Sequence, residues 1–283
     1  MTPPPRAILA TDLDGTLLRT DGTVSPKVRS ALATAGDHGI EVVFVTGRPP
    51  MFLPPVLADT GHQGTVLGAN GAVTFDAATR TVTEIRTFDG DAVLGIVSAL
   101  SRVPGAADVR VMMHHRNQPE HPGVRLLGDF DEVRAAATDL LEAGWECVKI
   151  AAVGAPPHTS ASFAADAESA IASAQRGSPP AAEVTWSMST PALVELSPPG
   201  VHKGSALAAY AAGREIAKAD IYAVGDMPND LPMFAAAGRA FAVRNAHPSV
   251  LAAAHEHLPG NDDDAVAVLL ERLIIRSGHC ADR

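Results

Sequence analysis

Ala7-Ile8-Leu9-Ala10-Thr11-Asp12-Leu13-Asp14-Gly15-Thr16 is the stretch on which the reading of the chain turns. A short apolar run with no charge before Asp12 suits a central parallel strand buried on both faces. The acids come only where that strand must end. Ser25-Pro26 then supplies an N-cap hydroxyl and a first-turn proline, and Val28, Ala31, Leu32 and Ala35 recur at helical spacing before Gly36 and Gly39. Val42-Val43-Phe44-Val45 reads as a second buried strand ending at Thr46-Gly47-Arg48, and Thr65-Val66-Leu67 as a third ending at Gly68-Ala69-Asn70-Gly71. Strand, helix, strand in this order implies parallel pairing through crossovers.

Outward from this block the pattern changes and then returns. Residues 72–75 and 81–85 read as a hairpin, and from about Ile85 the grammar is that of an α+β module. Helices are predicted at 91–100, 131–143 and 161–175, with strands at 109–113, 124–127, 147–153 and 183–187. Pro156-Pro157, Pro179-Pro180 and Pro198-Pro199 mark loops in it. After Gly200 the βα rhythm resumes: helix 204–212, strand 221–224, helix 229–237, strand 240–243 and a last helix 265–275, for which Asp262-Asp263-Asp264 read as caps. The fold class is therefore α/β, a doubly wound Rossmann-like parallel sheet formed by residues 1–84 and 192–283, with an inserted α+β domain at 85–191.

The chain has 283 residues, room for two modest domains on the usual prior of about 150 residues each. Hydrophobic residues at 46% and charged residues at 19% are ordinary globular usage, which argues against disorder over most of the length. A net charge of −10 gives no general attraction to nucleic acid or to an anionic membrane surface. No run approaches the roughly 18 apolar residues of a membrane span, and the first residues hold no signal-peptide core, so the expectation is a cytoplasmic protein, monomer or homodimer. Cys147 and Cys280 are too far apart and too few to suggest a disulfide framework or a zinc site. P-loop, serine-hydrolase and zincin motifs are absent.

In an open parallel sheet, ligands bind beyond the carboxyl ends of the strands. Those ends carry Asp12-Leu13-Asp14-Gly15-Thr16, Thr46-Gly47 and Gly225-Asp226-Met227-Pro228-Asn229-Asp230. Four carboxylates converging on one edge would repel unless a divalent cation or a shared proton offset their charge, and oxygen-only ligands point to Mg²⁺. Asp12 can attack phosphorus to form an aspartyl phosphate. Asp14 can protonate the leaving oxygen and then deprotonate water, a role for which proximity to Asp12 and Asp226 would raise its pKa. Lys203 and the Thr46 hydroxyl can hold phosphoryl oxygens. Taken singly, each block has an ordinary structural explanation: a solvated turn, a surface lysine, a helix cap. The Asp12 turn is also no EF-hand, since its glycine comes too early.

Together these blocks resemble, in order, the four motifs of haloacid-dehalogenase-superfamily phosphatases. Asn70-Gly71-Ala72 and the position of the insert are similar to the Cof-type branch with a type IIB cap. The resemblance implies that Asp12 is nucleophile and metal ligand, that Asp14 is acid/base and gives its backbone carbonyl to the metal, and that Asp226 completes the protein ligands. It also implies phosphate contacts from the Leu13 backbone, Thr46, Gly47, Lys203 and Asn229, with Asp230 and Asn70 in support. The substrate it implies is a small phosphorylated metabolite, sugar phosphates by default, with the cap contacting the leaving group. Two alternatives are a phosphotransferase such as a phosphomannomutase and a non-catalytic phosphate-binding protein. His114, His115, Arg116 and His121 in the insert read as a solvated polar loop.

Overall fold

A computed structural model describes residues 5–154, 160–174, 185–190 and 193–281. From the amino end, β1 (Ala7–Thr11), α1 (Pro26–Ala35), β2 (Ile40–Val45), α2 (Pro54–Thr60) and β3 (Thr65–Gly68) alternate, and β4 (Val73–Asp76) and β5 (Thr81–Ile85) follow. The insert contains α3 (Gly90–Leu100), β6 (Ala106–His115), β7 (Val124–Gly128), α4 (Phe130–Glu142), β8 (Trp145–Gly154), α5 (Ser160–Ala174), β9 (Thr185–Thr190) and β10 (Leu193–Ser197). The alternation then returns with α6 (Lys203–Gly213), β11 (Ile221–Gly225), α7 (Leu231–Ala236), β12 (Arg239–Val243), α8 (Pro248–Ala253), β13 (Glu256–Leu258) and α9 (Ala265–Ala281). The chain divides into two compact units, Met1–Thr81 with His202–Arg283, and Val82–Val201.

In the first unit the strands run in the order β13-β12-β11-β1-β2-β3-β4. β1 pairs in parallel with both β2 and β11, and β3 meets β4 antiparallel. Ile8, Leu9 and Ala10 are wholly buried, as a strand covered on both faces requires. Ser25 caps α1 by accepting the Val28 N–H at 3.0 Å. Chain order reverses between β1 and β11, and that reversal opens a crevice at the carboxyl edge of the sheet.

The second unit is a five-stranded antiparallel sheet, β7-β6-β8-β10-β9. One face packs against its helices through a core that includes Val97, Leu100, Val111, Met113, Ile150, Phe163 and Leu196. Alternation along β8 and β10 puts Lys149 and Glu195 on the other face, where they form a buried ion pair.

Several elements depart from the sequence reading. β10 is unforeseen, and it pairs with β8 from Leu193↔Val153 to Leu196↔Ile150, so the second division falls at Val201/His202 rather than at 191/192. The short α2, α8 and β13 also lie outside the reading, and the helix expected from 229 begins at Leu231, after a tight turn over Pro228–Asp230. Asp262, Asp263 and Asp264 are not caps in the expected sense: their carboxylates engage Thr20, Arg244 and Arg19. The predicted polar loop is partly strand, for β6 runs to His115, His114 is buried, and Arg116 pairs with Glu146. The loops expected at 156–157 and 179–180 and the start, 183–184, of the strand expected there lie outside the described residues. Among those residues no helix is long and apolar enough to cross a membrane.

Candidate active site

The Asp12 N–H still donates to Val224 O at 3.0 Å, so the β1–β11 ladder delivers this aspartate to the crevice. Beyond it the chain turns sharply through Gly15 at φ 74°, where a Cβ would sit 2.4 Å from Asp226 Oδ2. Only glycine allows both that conformation and that approach. Thr16 Oγ1 donates to Asp226 Oδ1 at 2.9 Å, and Asn245 Nδ2 holds the Gly15 carbonyl at 2.8 Å.

Lys203 opens α6 and is only 1% exposed. Its ammonium donates to Asp12 Oδ1 at 2.8 Å and to Asp230 Oδ1 at 2.6 Å. The second oxygen of Asp230 accepts the main-chain N–H groups of Asp226 (2.9 Å) and Met227 (3.0 Å). Asp230 therefore fastens both the lysine and the loop after β11. Oxygens of Asp12, Asp226 and Asp230 lie within 4.8 Å of one another.

One ammonium does not balance three buried acids. Burial pushes the Asp12 carboxyl well above the usual carboxylate range, Lys203 pulls it back, and Asp230 and Asp226 push it further up. Asp226 is pushed up to about 6, first by burial and then by Asp230. Burial alone would lower the pKa of Lys203, but Asp12 and Asp230 outweigh it and hold the ammonium charged. A hard divalent cation suits such an oxygen-only, charge-deficient set.

Thr46 follows β2, with its N–H on Leu67 O and its Oγ1 accepting the Arg48 N–H at 3.1 Å. Ala69, Asn70 and Gly71 all take positive φ, 50°, 58° and 97°, a costly run of left-handed backbone beside the site. Asn70 N–H reaches Thr46 O, and its side-chain oxygen accepts from Asn229 Nδ2 at 3.3 Å. The Asn229 Oδ1 atom is buried without a hydrogen-bond partner among the described residues. Leu13 is wholly buried, so what it can offer a ligand is main chain.

Three of the four expected carboxylates converge; Asp14 does not join them. Its side chain is 58% exposed and is gripped by Arg48, Nε to Oδ2 at 2.8 Å and Nη2 to Oδ1 at 2.5 Å. The immediate neighbour of Asp14 is thus a cation, not Asp12 or Asp226. Sequence reasoning assigned no role to Arg48, although it stands beside Thr46-Gly47, and it passed over Asn245, an asparagine in no recognisable pattern.

A doubly wound sheet whose central strand delivers a lysine-paired aspartate to an acid-rich crevice is a frame found among hydrolases of the α/β class. The chain belongs to the haloacid dehalogenase-like hydrolase family, whose sequence model matches residues 9–119 and 148–270. It is 26% identical to the 5-amino-6-(5-phospho-D-ribitylamino)uracil phosphatase YwtE of Bacillus subtilis strain 168, over 94% of this chain and 97% of that protein. A phosphoglycolate phosphatase of Methanoculleus marisnigri is 27% identical, with 87% of each chain covered. In structure the chain is similar to a haloacid dehalogenase-like hydrolase from B. subtilis, at TM-score 0.73 and 25% identity, covering 94% of this chain and 99% of that one.

Proposed function

We propose that this hydrolase is a Mg²⁺-dependent phosphatase of small phosphorylated metabolites, with Asp12 as its nucleophile. The observation that carries the reading is the Lys203 ammonium bridging Asp12 and Asp230, with Asp226 alongside. Both relatives above are phosphatases by name, and the substrates in their names are small phosphorylated metabolites. Sugar phosphates are the preferred class.

Mg²⁺ held by Asp12, Asp226 and the Asp14 carbonyl would neutralise the carboxylates and the phosphate dianion that must approach them. Lys203 fixes one oxygen of Asp12, which orients the carboxylate toward an incoming phosphorus. As the Asp12 oxygen bonds to phosphorus, the bond from phosphorus to the leaving oxygen breaks, and Asp14 supplies the proton that oxygen needs. Asp14 then takes a proton from the water that hydrolyses the aspartyl phosphate. Lys203, the Thr46 hydroxyl, the Asn229 amide and the main chain at Leu13 and Gly47 bind the phosphoryl oxygens.

The test is phosphate release from p-nitrophenyl phosphate with Mg²⁺, with EDTA, and with the Asp12→Asn variant. Release that EDTA and Asp12→Asn each abolish is the expected result. Undiminished release by Asp12→Asn would refute the assignment of the nucleophile.

A further inference from the structure

We propose that Arg48 is a positioning residue for Asp14, aiming its carboxyl group at the leaving oxygen. The inference rests on the phosphatase reading above and goes beyond it, because it assigns a task to a side chain outside the nucleophile, metal and phosphate set.

Asp14 stands on an exposed turn, and among the described residues Arg48 is the sole group that binds its carboxylate. An exposed aspartate without such a partner samples several rotamers, and proton transfer to a reacting oxygen requires a fixed direction. A guanidinium fork sets the plane and the direction of a carboxylate at once. The fork is itself anchored at the main chain: the Arg48 N–H donates to Thr46 Oγ1 at 3.1 Å, and the Arg48 carbonyl accepts from Ala69 N at 2.9 Å. Arg48 therefore ties the turn after β1 to the loops after β2 and β3. Both oxygens of Asp14 are engaged in this state, so delivery to a leaving oxygen requires that one of the two bonds of the fork open while the other keeps hold. The dianion of an arriving phosphate ester is a natural competitor for that freed N–H.

A group that acts through the acid matters in proportion to how badly the leaving oxygen needs a proton. The experiment compares two esters of similar size, phenyl phosphate, whose leaving oxygen is strongly basic, and 2,4-dinitrophenyl phosphate, whose phenolate departs unaided. Arg48→Met should lower kcat/KM, which runs only as far as release of the phenol and leaves out the water step that both esters share, by about 10-fold or more on phenyl phosphate, within the range a general acid supplies, and by less than about 2-fold on the dinitrophenyl ester. Asp14→Asn should show the same split, and Arg48→Met added to Asp14→Asn should cause no further loss. Arg48→Lys, which keeps the charge without the fork, should fall with Arg48→Met. Equal losses on both esters would overturn the proposal, since a smaller folded fraction or a general structural role scales all substrates alike. A shared rise in KM would overturn it in favour of a phosphate contact, and additive losses in the double variant would overturn it too. A wild type that releases no phosphate from either ester with Mg²⁺ present would overturn the phosphatase reading and this inference together.

Discussion

Replacing Lys203 by methionine keeps the volume of the side chain and removes its charge from a nearly fully buried position. Lys203 is 1% exposed, and the acids it serves, Asp12 and Asp230, are themselves buried with Asp226 beside them. Removing one partner of a buried ion pair costs about 3–5 kcal/mol. At roughly 2–4 °C per kcal/mol for a unit of this size, Lys203→Met should melt about 10 °C or more below the wild type in EDTA. The sign of the pH dependence follows from the same charges. Without the ammonium the folded carboxyls hold protons more tightly than the unfolded ones, so stability is present at low pH and is lost as pH rises through their folded pKa. The deficit should therefore be largest near neutrality and shrink toward about pH 4, where unfolded carboxylates also take up protons. Millimolar Mg²⁺, drawn to the same oxygens, should recover part of the loss and raise the melting temperature of the variant more than that of the wild type. Circular dichroism melts at pH 5 and pH 8, with EDTA and then with Mg²⁺, measure all of this. A variant within about 2 °C of wild type at pH 8 in EDTA, or a deficit that grows on acidification, would refute the reasoning.

Gly15→Ala forces a Cβ to within 2.4 Å of Asp226 Oδ2 at a left-handed φ of 74°; it should cost about 1–2 kcal/mol of stability for the backbone and raise the Mg²⁺ concentration needed for half-maximal activity, read from a metal titration. Glu195→Gln, which removes the charge of Glu195 from its buried pair with Lys149, should lose about 3–5 kcal/mol in urea denaturation, and Lys149→Met combined with Glu195→Leu should regain most of it. His62 is stacked on Phe44 and its pKa is lowered by burial to about 4, so it stays neutral when folded and charges on unfolding. It should contribute about 3 kcal/mol that is whole above pH 6.5 and lost as pH falls toward 4; His62→Asn should flatten that part of the stability profile, and an unchanged profile would count against the assignment.

The first half of the fold was legible because its signals are local. The uncharged run at Ile8-Leu9-Ala10, the Ser25-Pro26 start and the run at Val42–Val45 each report their own conformation, and Asp12, Thr46 and Asp226 follow at the ends of the strands so defined. β10 was not legible, because Glu195 in a five-residue segment reads as linker until its partner Lys149 is known to lie on the neighbouring strand. Three short elements, α2, α8 and β13, span seven residues or fewer, too few to show a period. At the site, residue types and strand ends announced that Asp12, Asp226 and Asp230 gather at one edge of the sheet. The partner of each group was hidden. Whether Asp14 faces Asp12 or Arg48 depends on the path of the loop after β2, and the hold of Asn245 on the Gly15 carbonyl joins segments 230 positions apart.

Thr16 and Asp226 meet across 210 positions of sequence, and β1 pairs with β11 across a similar gap, Ile8 with Ile221. During synthesis, at about 5–20 residues per second, roughly 10–40 s separate the emergence of these partners. All strands of the insert leave the ribosome in that interval, so the insert can fold while the sheet that frames it is still half built. Through that time β1, whose Ile8, Leu9 and Ala10 are wholly buried in the finished sheet, has β2 on one side and an open row of amides and carbonyls on the other. A nascent chain stopped before residue 221 would expose a ready seat for a strand from a neighbouring polypeptide, and the cell must shield that edge until β11 arrives to fill it.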